Sequence, residues 1–577
     1  MFRYLIAALI IGSTVACRAG SATQESVVAA SPAPAAAQAH SAPPVAENDI
    51  APTVERVLSS AEHPGLTWSA ISDVTSVLKP LYDREPDKLL WFDGTAPAPV
   101  VDATIATIAA AGEYGLDPDD YDAAFLQERW AAVKAGTATG PERAHFDLAI
   151  SVAAARMVRA VHVGRVDPAT MNWGYSIAEK PIDVPAALHE ARQGKGLRAT
   201  LDSLEPPVSH YGRARKTLAA YRALARAGEP DPVPDLQKGQ TKIEPGKTWA
   251  GVPQLAARLK VFGDLADGSS IAGSTYGGAL VAAVKSFQGR HGLEPDGVIG
   301  ASTIKALNVT LAQRAHQIEL AMERMRWLPE LSKRPNVFVN LPLFRMWATD
   351  PVTGDEPLRM NVVVGKSLNH HTPIFVEQME YVIFRPYWNP PYSITVKEII
   401  PHARKDPAYF NHEALEIVAS GDDNAQPLPV TQENLAAVVA GKLHLRQRPG
   451  PSNSLGLAKF IFPNSDNVYM HGTPAQQLFS RARRDFSHGC IRLEDPARFA
   501  EWVLRDNPDW PRAKIDAAMQ GERPTRVNLK QPLTVVLFYD TVHINSEGVV
   551  FFAEDIYGHD RALDAALAQG YPYPVKK

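Results

Sequence analysis

The strongest constraint on the fold is a change in the spacing of apolar residues along the chain. Between residues 60 and 230, Ala and Leu recur at helical spacing, as in Val101–Ala111 and Phe146–Val163. From residue 335 the spacing becomes two, in short apolar runs such as Tyr381–Phe384 that are bounded by Gly, Pro and Asn. Since one pattern cannot serve both kinds of element, the chain is predicted to be a multidomain α+β protein.

Proline-rich segments divide the chain into domains. A helical scaffold domain is predicted over residues 60–235, followed by the polar run Glu229–Pro234 as part of a linker. A compact unit of short helices is predicted over residues 248–310. A mainly-β domain is predicted over residues 330–577.

The β-domain contains an interruption. Helical patterns at Val396–His402 and Glu433–Val439 predict a helical capping insertion over about 393–445, lying over one edge of the sheet. The last β-rich stretches, Leu533–Tyr539 and Val549–Ala553, are expected to return to the same sheet.

The N-terminus is typical of an exported protein. Arg3 precedes the apolar stretch Leu5–Ile11, which is too short to span a bilayer, so residues 1–16 are predicted to be a signal peptide. Cys17 follows in a context similar to bacterial lipoprotein signals, where this cysteine carries the lipid. Cleavage nearby without lipidation is the alternative. The Ala/Pro/Ser-rich residues 17–59 are predicted to be a tether.

The charge balance excludes one class of partner. The chain has 59 Lys and Arg against 63 Asp and Glu, which gives a formal net charge of −4. A nucleic-acid-binding protein held by a broad basic surface would show an excess of basic residues. No nucleic-acid partner is therefore expected.

Cys490 is the residue that most clearly indicates chemistry. With Cys17 at the predicted cleavage point, Cys490 remains as a free thiol in an oxidising compartment. A thiol attacks as its thiolate and therefore needs a nearby base. His488, two residues before it, and His471, further upstream, are both candidates.

Two glycines support a reactive site at this cysteine. Gly489 predicts a sharp turn that lets backbone N–H groups approach a reacting carbonyl. The carbonyl of Gly472 is a candidate acceptor for the second nitrogen of His471. A zinc site formed by His471, His488 and Cys490 is the alternative, but these residues supply only three ligands with no clear fourth. No metal and no cofactor are expected.

Two parts of the chain resemble known families. Residues 250–310 carry Phe287-Gln288, His291-Gly292-Leu293 and Asp296–Gly300, and resemble the three-helix peptidoglycan-binding domain. The pair His471-Gly472 with Ser487–Arg492 is similar to the catalytic motif of the L,D-transpeptidase family, whose catalytic domain is of the YkuD type.

The resemblance extends to a subclass. Tyr387–Ile394, Arg446–Pro451 and Asn453–Phe460 look like segments of the long, YcbB-type members of the family. Those members combine a helical scaffold, a wall-binding domain and a capping insertion. The resemblance therefore implies that residues 330–577 are a YkuD-like catalytic domain.

The resemblance also implies roles for individual residues. Cys490 is the nucleophile, His471 is the general base and acid, and Gly472 orients His471. His488 and Gly489, together with Cys490, line the oxyanion side. Arg492 holds the motif or binds the substrate carboxylate. Tyr469 lies near the oxyanion.

Further substrate-binding residues are predicted around the cleft. Trp388 is a candidate for stacking on sugar or peptide, with packing inside the β-domain as the alternative. Ser487 is expected to contact the substrate within the motif. Asn453 and Lys459 lie near the predicted cleft and are expected to belong to a wall for an anionic substrate, with a structural role as the alternative.

The function implied by the resemblance is acyl transfer in peptidoglycan. A cysteine thioester forms on the third residue of a stem peptide as its bond to D-alanine is cut, and a second stem then accepts it in a 3→3 cross-link. Carbapenems are expected to acylate Cys490. L,D-carboxypeptidase activity and lipoprotein attachment to peptidoglycan are alternatives in the same fold, and a non-catalytic wall-binding scaffold is an alternative of another class.

The predicted partners and location follow from the same features. The partners are stem peptides and glycan, with membrane anchoring through lipid on Cys17. The expected location is the periplasm or cell envelope, and Arg18, rather than Asp, after Cys17 favours an outer-membrane lipoprotein.

Overall fold

The computed structural model describes residues 49–575 except 86, 176–179, 270, 272, 330–334, 352–356 and 407. The predicted signal peptide and Cys17 therefore lie outside the described residues. Within the described ranges, no helix combines the length and the apolar character needed to cross a membrane.

The first part of the chain is helical, as predicted. Its elements are α1 (Ile50–Ser60), α2 (Ser72–Tyr82), β1 (Phe92–Asp93), β2 (Ala96–Pro97), α3 (Val101–Ala109), α4 (Ala123–Lys134), α5 (Gly140–Val163), α6 (Val184–Glu190), α7 (Gly196–Leu204) and α8 (Ser209–Ala227). Helix α5 begins with a capping box in which Thr139 and Glu142 bond each other's backbone. Most of its residues are buried, so it forms the centre of this part.

The predicted tether is wrong at its C-terminal end, because Ile50–Ser60 form helix α1. Val54, Val57 and Leu58 are buried in the cluster of apolar residues around α5. Their spacing of three and one places them on one face of a helix. Burial of that face stabilises a helix in a segment whose composition indicates an extended chain.

A buried carboxylate organises the scaffold. The side chain of Asp147 on α5 accepts hydrogen bonds from the Tyr82 hydroxyl at 2.5 Å and from the backbone N–H of Trp91 at 2.6 Å. The Tyr82 hydroxyl also lies 2.7 Å from the Ser151 hydroxyl. Burial raises the pKa of Asp147 to about 6, and these donors oppose the rise.

The second part of the chain is a small helical unit. Its elements are β3 (Lys242–Ile243), α9 (Val252–Val261), α10 (Ala279–Arg290), β4 (Ile299–Gly300), α11 (Ala301–Leu307) and α12 (Leu311–Trp327). Its core is shared with α8, from which Tyr211 and Leu218 pack into the same cluster as Val252 and Ile318. Helix α8 thus joins the scaffold to this unit.

The third part is built on a sheet that closes on itself. Its strands are β5 (Asn336–Asn340), β6 (Arg345–Thr349), β7 (Leu358–Gly365), β8 (Phe375–Phe384), β12 (Ala458–Ile461), β13 (Met470–His471), β14 (Asp485–Ser487), β15 (Ile491–Leu493) and β16 (Thr525–Phe538). Among the described residues their order is β14-β7-β15-β13-β12-β8-β16-β5-β6, and β6 also pairs with β7. The helices that follow β15 are α17 (Pro496–Val503) and α18 (Arg512–Gln520), and α19 (His559–Leu567) ends the fold.

Alternation along these strands separates an inner from an outer face. Val362, Met470, Ile491 and Val535 point inward into one apolar core. Their neighbours in sequence point outward. The outer face is the one that carries the polar side chains described below.

The insertion between β8 and β12 has a core of its own. Its elements are α13 (Tyr392–Ile394), α14 (Ile400–Lys405), α15 (Tyr409–His412), β9 (Leu415–Val418), β10 (Pro427–Leu428), α16 (Gln432–Val439) and β11 (His444–Gln447). The insertion contains helices, as predicted, and in addition β10, β9 and β11 form a small antiparallel sheet that was not predicted. These strands have two to four residues, which is too short for a clear alternation of apolar and polar residues.

The last β-rich stretch is only partly in the main sheet. Leu533–Phe538 lie in β16, as predicted, whereas β17 (Val542–Ile544) and β18 (Val550–Phe552) form a separate hairpin. The apolar face of the hairpin, which includes Val542 and Phe552, is buried against the helical unit instead of the sheet core. The prediction that this stretch returns to the same sheet is therefore wrong for the hairpin.

A buried ion pair on α12 joins the parts. Arg326 and Glu323 are both completely buried, and Arg326 Nη1 donates to Glu323 Oε2 at 2.9 Å. The same guanidinium donates to the Tyr114 carbonyl and, at 2.9 Å, to the Tyr211 hydroxyl. Glu323 also accepts a hydrogen bond from the backbone of Arg165.

Arg326→Met is expected to lower the free energy of unfolding by about 3 kcal/mol, because it breaks a buried ion pair and leaves the carbonyl of Tyr114 without its donor. Urea denaturation followed by tryptophan fluorescence measures the change. The matched control is Arg512→Met, whose partners Glu501 and Asp516 are exposed, and it is expected to cost less than about 1 kcal/mol. Equal losses for the two variants would contradict the assigned role.

Candidate active site

Two parallel strands bring the predicted residues together. Strands β13 and β15 pair so that His471 lies beside Arg492. Both side chains lie on the outer face, while Ile491 points into the core. Cys490 directly precedes β15, and the N–H of Ile491 donates to the carbonyl of Tyr469 at 3.0 Å. This register places Cys490 next to Tyr469 and two residues along the strand from the position opposite His471.

A tight turn presents Cys490 at the start of β15. Gly489 has a φ of +115°, a left-handed value that strains any residue with a Cβ. The Ser487 hydroxyl donates to the Cys490 carbonyl at 2.6 Å and accepts the N–H of Gly489 at 3.1 Å. Thr372 Oγ1 donates to the Gly489 carbonyl at 2.8 Å. Ser487 is buried, so its geometry is that of a residue that positions the turn.

The thiol of Cys490 is half-buried and uncharged at neutral pH. Its sulfur lies 3.9 Å from the carbonyl of Asn467, and the Tyr469 hydroxyl is within hydrogen-bonding reach of it. Burial raises the pKa of the thiol, while Tyr469, Lys459 and Arg492 oppose the rise. The thiol is therefore protonated at rest and needs a base before it can attack.

The imidazole of His471 is suited to accept a proton. Its Nδ1 lies 2.5 Å from the carbonyl of Gly472. Because a carbonyl only accepts, Nδ1 carries the proton, and Nε2 of the neutral ring is left without one. Burial, followed by the charge of Arg492, lowers the pKa of His471 to about 3. The ring is therefore neutral at neutral pH.

The described structure contains no hydrogen bond between the His471 ring and the Cys490 thiol. The ring of Tyr469 lies beside His471, with its centroid 5.7 Å from that of the imidazole. Hydrogen bonds of this kind are often long in the absence of substrate. His471 lies in β13, and Cys490 directly precedes the adjacent strand β15.

Lys459, which the sequence places near the predicted cleft, lies beside His471 and Tyr469. It pairs with His471 across β12 and β13, and its Nζ lies 3.9 Å from the centroid of the Tyr469 ring. Burial lowers the pKa of this amine, and the charge of Cys490 raises it.

The capping insertion contacts the site through His488. Its Nε2 lies 2.7 Å from Glu398 Oε1, which belongs to the insertion. The side chain of His488 therefore points away from the base position and towards the insertion. Trp388 packs against the apolar core of the insertion, and its backbone pairs with Gln447.

Asn453 lies beneath the cleft instead of lining it. Its side chain is completely buried, and Nδ2 donates to the carbonyls of Pro386 and Arg448 at 3.2 and 3.0 Å. Its Oδ1 accepts the N–H of Leu455 at 2.8 Å. Both polar atoms are used inside the protein, so Asn453 supports the loop before β12 and presents no group to a substrate.

A metal site is not formed in the part of the chain that the structure describes. No group of three or more His, Cys, Asp or Glu side chains there is arranged to hold an ion. His488 bonds Glu398, and His471 bonds a backbone carbonyl.

Lys459→Met is expected to raise the pKa of the Cys490 thiol, because it removes a positive charge that favours the thiolate. The pH profile of alkylation by iodoacetamide should therefore shift to higher pH. The rate should be several-fold lower at pH 8. The matched control is the exposed Lys530→Met. A variant profile that superposes on the wild-type profile would show that Lys459 does not act on the thiol.

Family models match three segments of the chain. The model described as "Scaffold domain" matches residues 76–218, and the model described as "Putative peptidoglycan binding domain" matches residues 250–307. The YkuD model, described as "L,D-transpeptidase catalytic domain", matches residues 334–527, which contain every predicted site residue.

Individual relatives agree with these matches. A "Putative L,D-transpeptidase" from Haemophilus influenzae is 27% identical over 266 residues, or 46% of this chain. The match spans about half of that relative, 51% of its length. A crystal structure of the L,D-transpeptidase (residues 123–326) from Xylanimonas cellulosilytica is 16% identical and covers 52% of this chain and 98% of that one. Its TM-score of 0.17 carries no argument about the fold. On the family models, this chain carries a YkuD-type L,D-transpeptidase catalytic domain at residues 334–527.

Proposed function

We propose that this protein is a murein L,D-transpeptidase that forms 3→3 cross-links through a thioester on Cys490. The observation that carries the proposal is the outer face of the sheet, where the Cys490 thiol, the Tyr469 hydroxyl and the neutral His471 lie on adjacent strands. Covalent acyl transfer needs a nucleophile, a base and donors for an oxyanion. Each of these is present within the matched catalytic domain.

In the first step, Nε2 of His471 takes the proton of the thiol as sulfur attacks the carbonyl carbon of the third stem residue. The C–N bond to D-alanine then breaks, and the imidazolium returns the proton to the leaving amine. The product is an acyl thioester on Cys490 and free D-alanine. Because the thiol and imidazole are both neutral at rest, charge develops only during the reaction.

In the second step, an amine of another stem peptide attacks the thioester carbonyl. His471 accepts the proton of this amine, the C–S bond breaks, and the thiolate recovers a proton from the imidazolium. The new amide is the 3→3 cross-link, and the enzyme returns to its initial state. Water in place of the amine would give the carboxypeptidase reaction.

Oxyanion stabilisation requires donors near the thiol. The N–H of Gly489 already donates to Ser487, so the donors we assign are the N–H groups of His488 and Cys490 and the hydroxyl of Tyr469. Arg492 has a buried Nε without a hydrogen-bond partner among the described residues. That group is suited to a carboxylate of the substrate.

The proposal extends to the other domains. We propose that residues 250–307 bind peptidoglycan, that the partners are stem peptides and glycan, and that the protein works in the cell envelope after export. The proposal includes lipid anchoring through Cys17. Membrane fractionation of the wild type and Cys17→Ala tests that anchoring.

Incubation with disaccharide-tetrapeptide, followed by mass spectrometry, tests the activity. The wild type is expected to give cross-linked dimer and free D-alanine, and Cys490→Ala is expected to give neither. His471→Gln should lower the rate by about 10²- to 10⁴-fold, because it removes the base. If tripeptide forms without dimer, the activity is that of an L,D-carboxypeptidase and not of a cross-linking enzyme. No product, together with no carbapenem adduct on Cys490, would reject the enzyme class.

The rate of acylation by a carbapenem should vary little between pH 7.5 and pH 5.5. The low pKa of His471, about 3, keeps the imidazole neutral over this range, and the raised pKa of the thiol keeps it protonated. A base with an ordinary histidine pKa would lose about tenfold over the same interval. Single-turnover intact-mass measurements check the profile, and a loss of that size would show that the base is not the buried His471.

A further inference from the structure

A cavity of about 500 Å³ lies outside the site described above. It is bounded by the outer face of β5 and β6, the start of α8, the end of α12 and the hairpin β17–β18. None of its lining residues belongs to the proposed catalytic machinery. The volume is that of a site for a small organic ligand.

One wall of this cavity is aromatic. Trp347 pairs with Phe338 across β5 and β6, so both side chains lie on the same outer face of the sheet. Phe538 on β16 and Phe551 on the hairpin complete the wall. Flat apolar side chains in this arrangement suit a ring-shaped body.

The polar lining is strongly cationic. Arg213, Arg324, Arg345 and Arg359 all line the cavity. Among the described residues, Arg324 is the one of the four that has an ion pair, and Arg213 donates to a backbone carbonyl and to uncharged side chains. Arg345 lies over the ring of Phe551.

Arg324 presents unused donors to the cavity. Its side chain is only 3% exposed, and its Nη1 lies 2.6 Å from Asp560 Oδ1. Within the described structure, its Nε and Nη2 have no hydrogen-bond partner. Asn340, also buried, has an unpartnered Oδ1 in the same cavity. Unpaired buried polar atoms are costly, so they indicate a missing partner.

The other titratable groups of the lining do not neutralise the arginines. Burial raises the pKa of Asp540 to about 7, so this carboxyl is only partly ionised at neutral pH. Burial lowers the pKa of His210 to about 4 and that of His543 to about 3, so both rings are uncharged. The cavity therefore keeps a net positive charge.

We propose that this cavity binds a small organic anion, with a carboxylate or phosphate on the arginines and a ring-shaped body against Trp347 and Phe338. The free N–H groups of Arg324 match the oxygens of either anion, since a guanidinium can donate two parallel bonds. Asn340 Oδ1 accepts from a hydroxyl or N–H of the same ligand. The site is separate from Cys490 and does not depend on the proposed reaction.

Isothermal titration calorimetry of the full chain tests the proposal with three probes that share a naphthalene ring: 1-naphthyl phosphate, 1-naphthoate and the uncharged 1-naphthol. At least one anion is expected to bind once per chain, with a Kd at least tenfold below that of 1-naphthol. Which anion binds more tightly identifies the phosphate or the carboxylate as the preferred group. Failure of both anions to bind, or equal affinity for all three probes, would overturn the proposal.

Variants locate the binding. Arg324→Gln should weaken the anion at least tenfold, and Arg512→Gln, on the exposed surface, should leave its Kd unchanged. Because Arg324 is buried, circular dichroism checks that the Arg324→Gln variant is folded. The double variant Arg345→Gln/Arg359→Gln changes two exposed arginines at the mouth of the cavity and is a second test. It is expected to weaken binding of the anion at least threefold. Unchanged binding in both would overturn the site. Cys490→Ala should bind as the wild type does, which separates this result from any failure of the proposed reaction.

Discussion

The arrangement of Cys490 and His471 on the outer face of the sheet depends on the parallel pairing of β13 with β15. The two strands have only two and three residues, yet they decide that His471 and Arg492 point outward while Met470 and Ile491 point inward. A shift by one residue would exchange these faces and bury the polar groups in an apolar core. Backbone hydrogen bonds over so short a ladder are weak, so the apolar side chains on the inner face hold the register.

The outer face around Cys490 and His471 stabilises a charge that forms during a reaction more than it stabilises a charge on these groups at rest. Burial keeps the thiol protonated and the imidazole neutral, while Lys459 and Arg492 remain beside them as cations. Their attraction for a neutral thiol is small, and their attraction for a thiolate or an oxyanion is much larger. Interactions that strengthen towards the transition state are those that accelerate a reaction. In the proposed reaction, the two cations would therefore stabilise the charge that forms on the sulfur or on the substrate oxygen.

Local patterns in the sequence predict the order of the domains and the positions of Cys490 and His471, because each is marked within a few neighbouring residues. The position of Lys459 directly beside His471 cannot be predicted in this way, because it depends on the pairing of β12 with β13, which joins residues that are distant in sequence. Ser487 and Asn453 differ for another reason. They are predicted as substrate contacts, but their polar atoms bond backbone groups that become neighbours only in the folded chain. The hairpin β17–β18 alternates like a strand of the main sheet, and only tertiary packing shows which core receives its apolar face.

The segment between His471 and Cys490 links the catalytic domain to the small helical unit. Glu294 of that unit accepts the N–H of Ala482 at 2.6 Å, and Arg290 donates to Val550 of the hairpin at 2.7 Å. His471 and Cys490 lie at the two ends of this segment. Its middle contacts the helical unit, which the peptidoglycan-binding model matches. The helical unit is therefore in direct contact with the segment that joins His471 to Cys490.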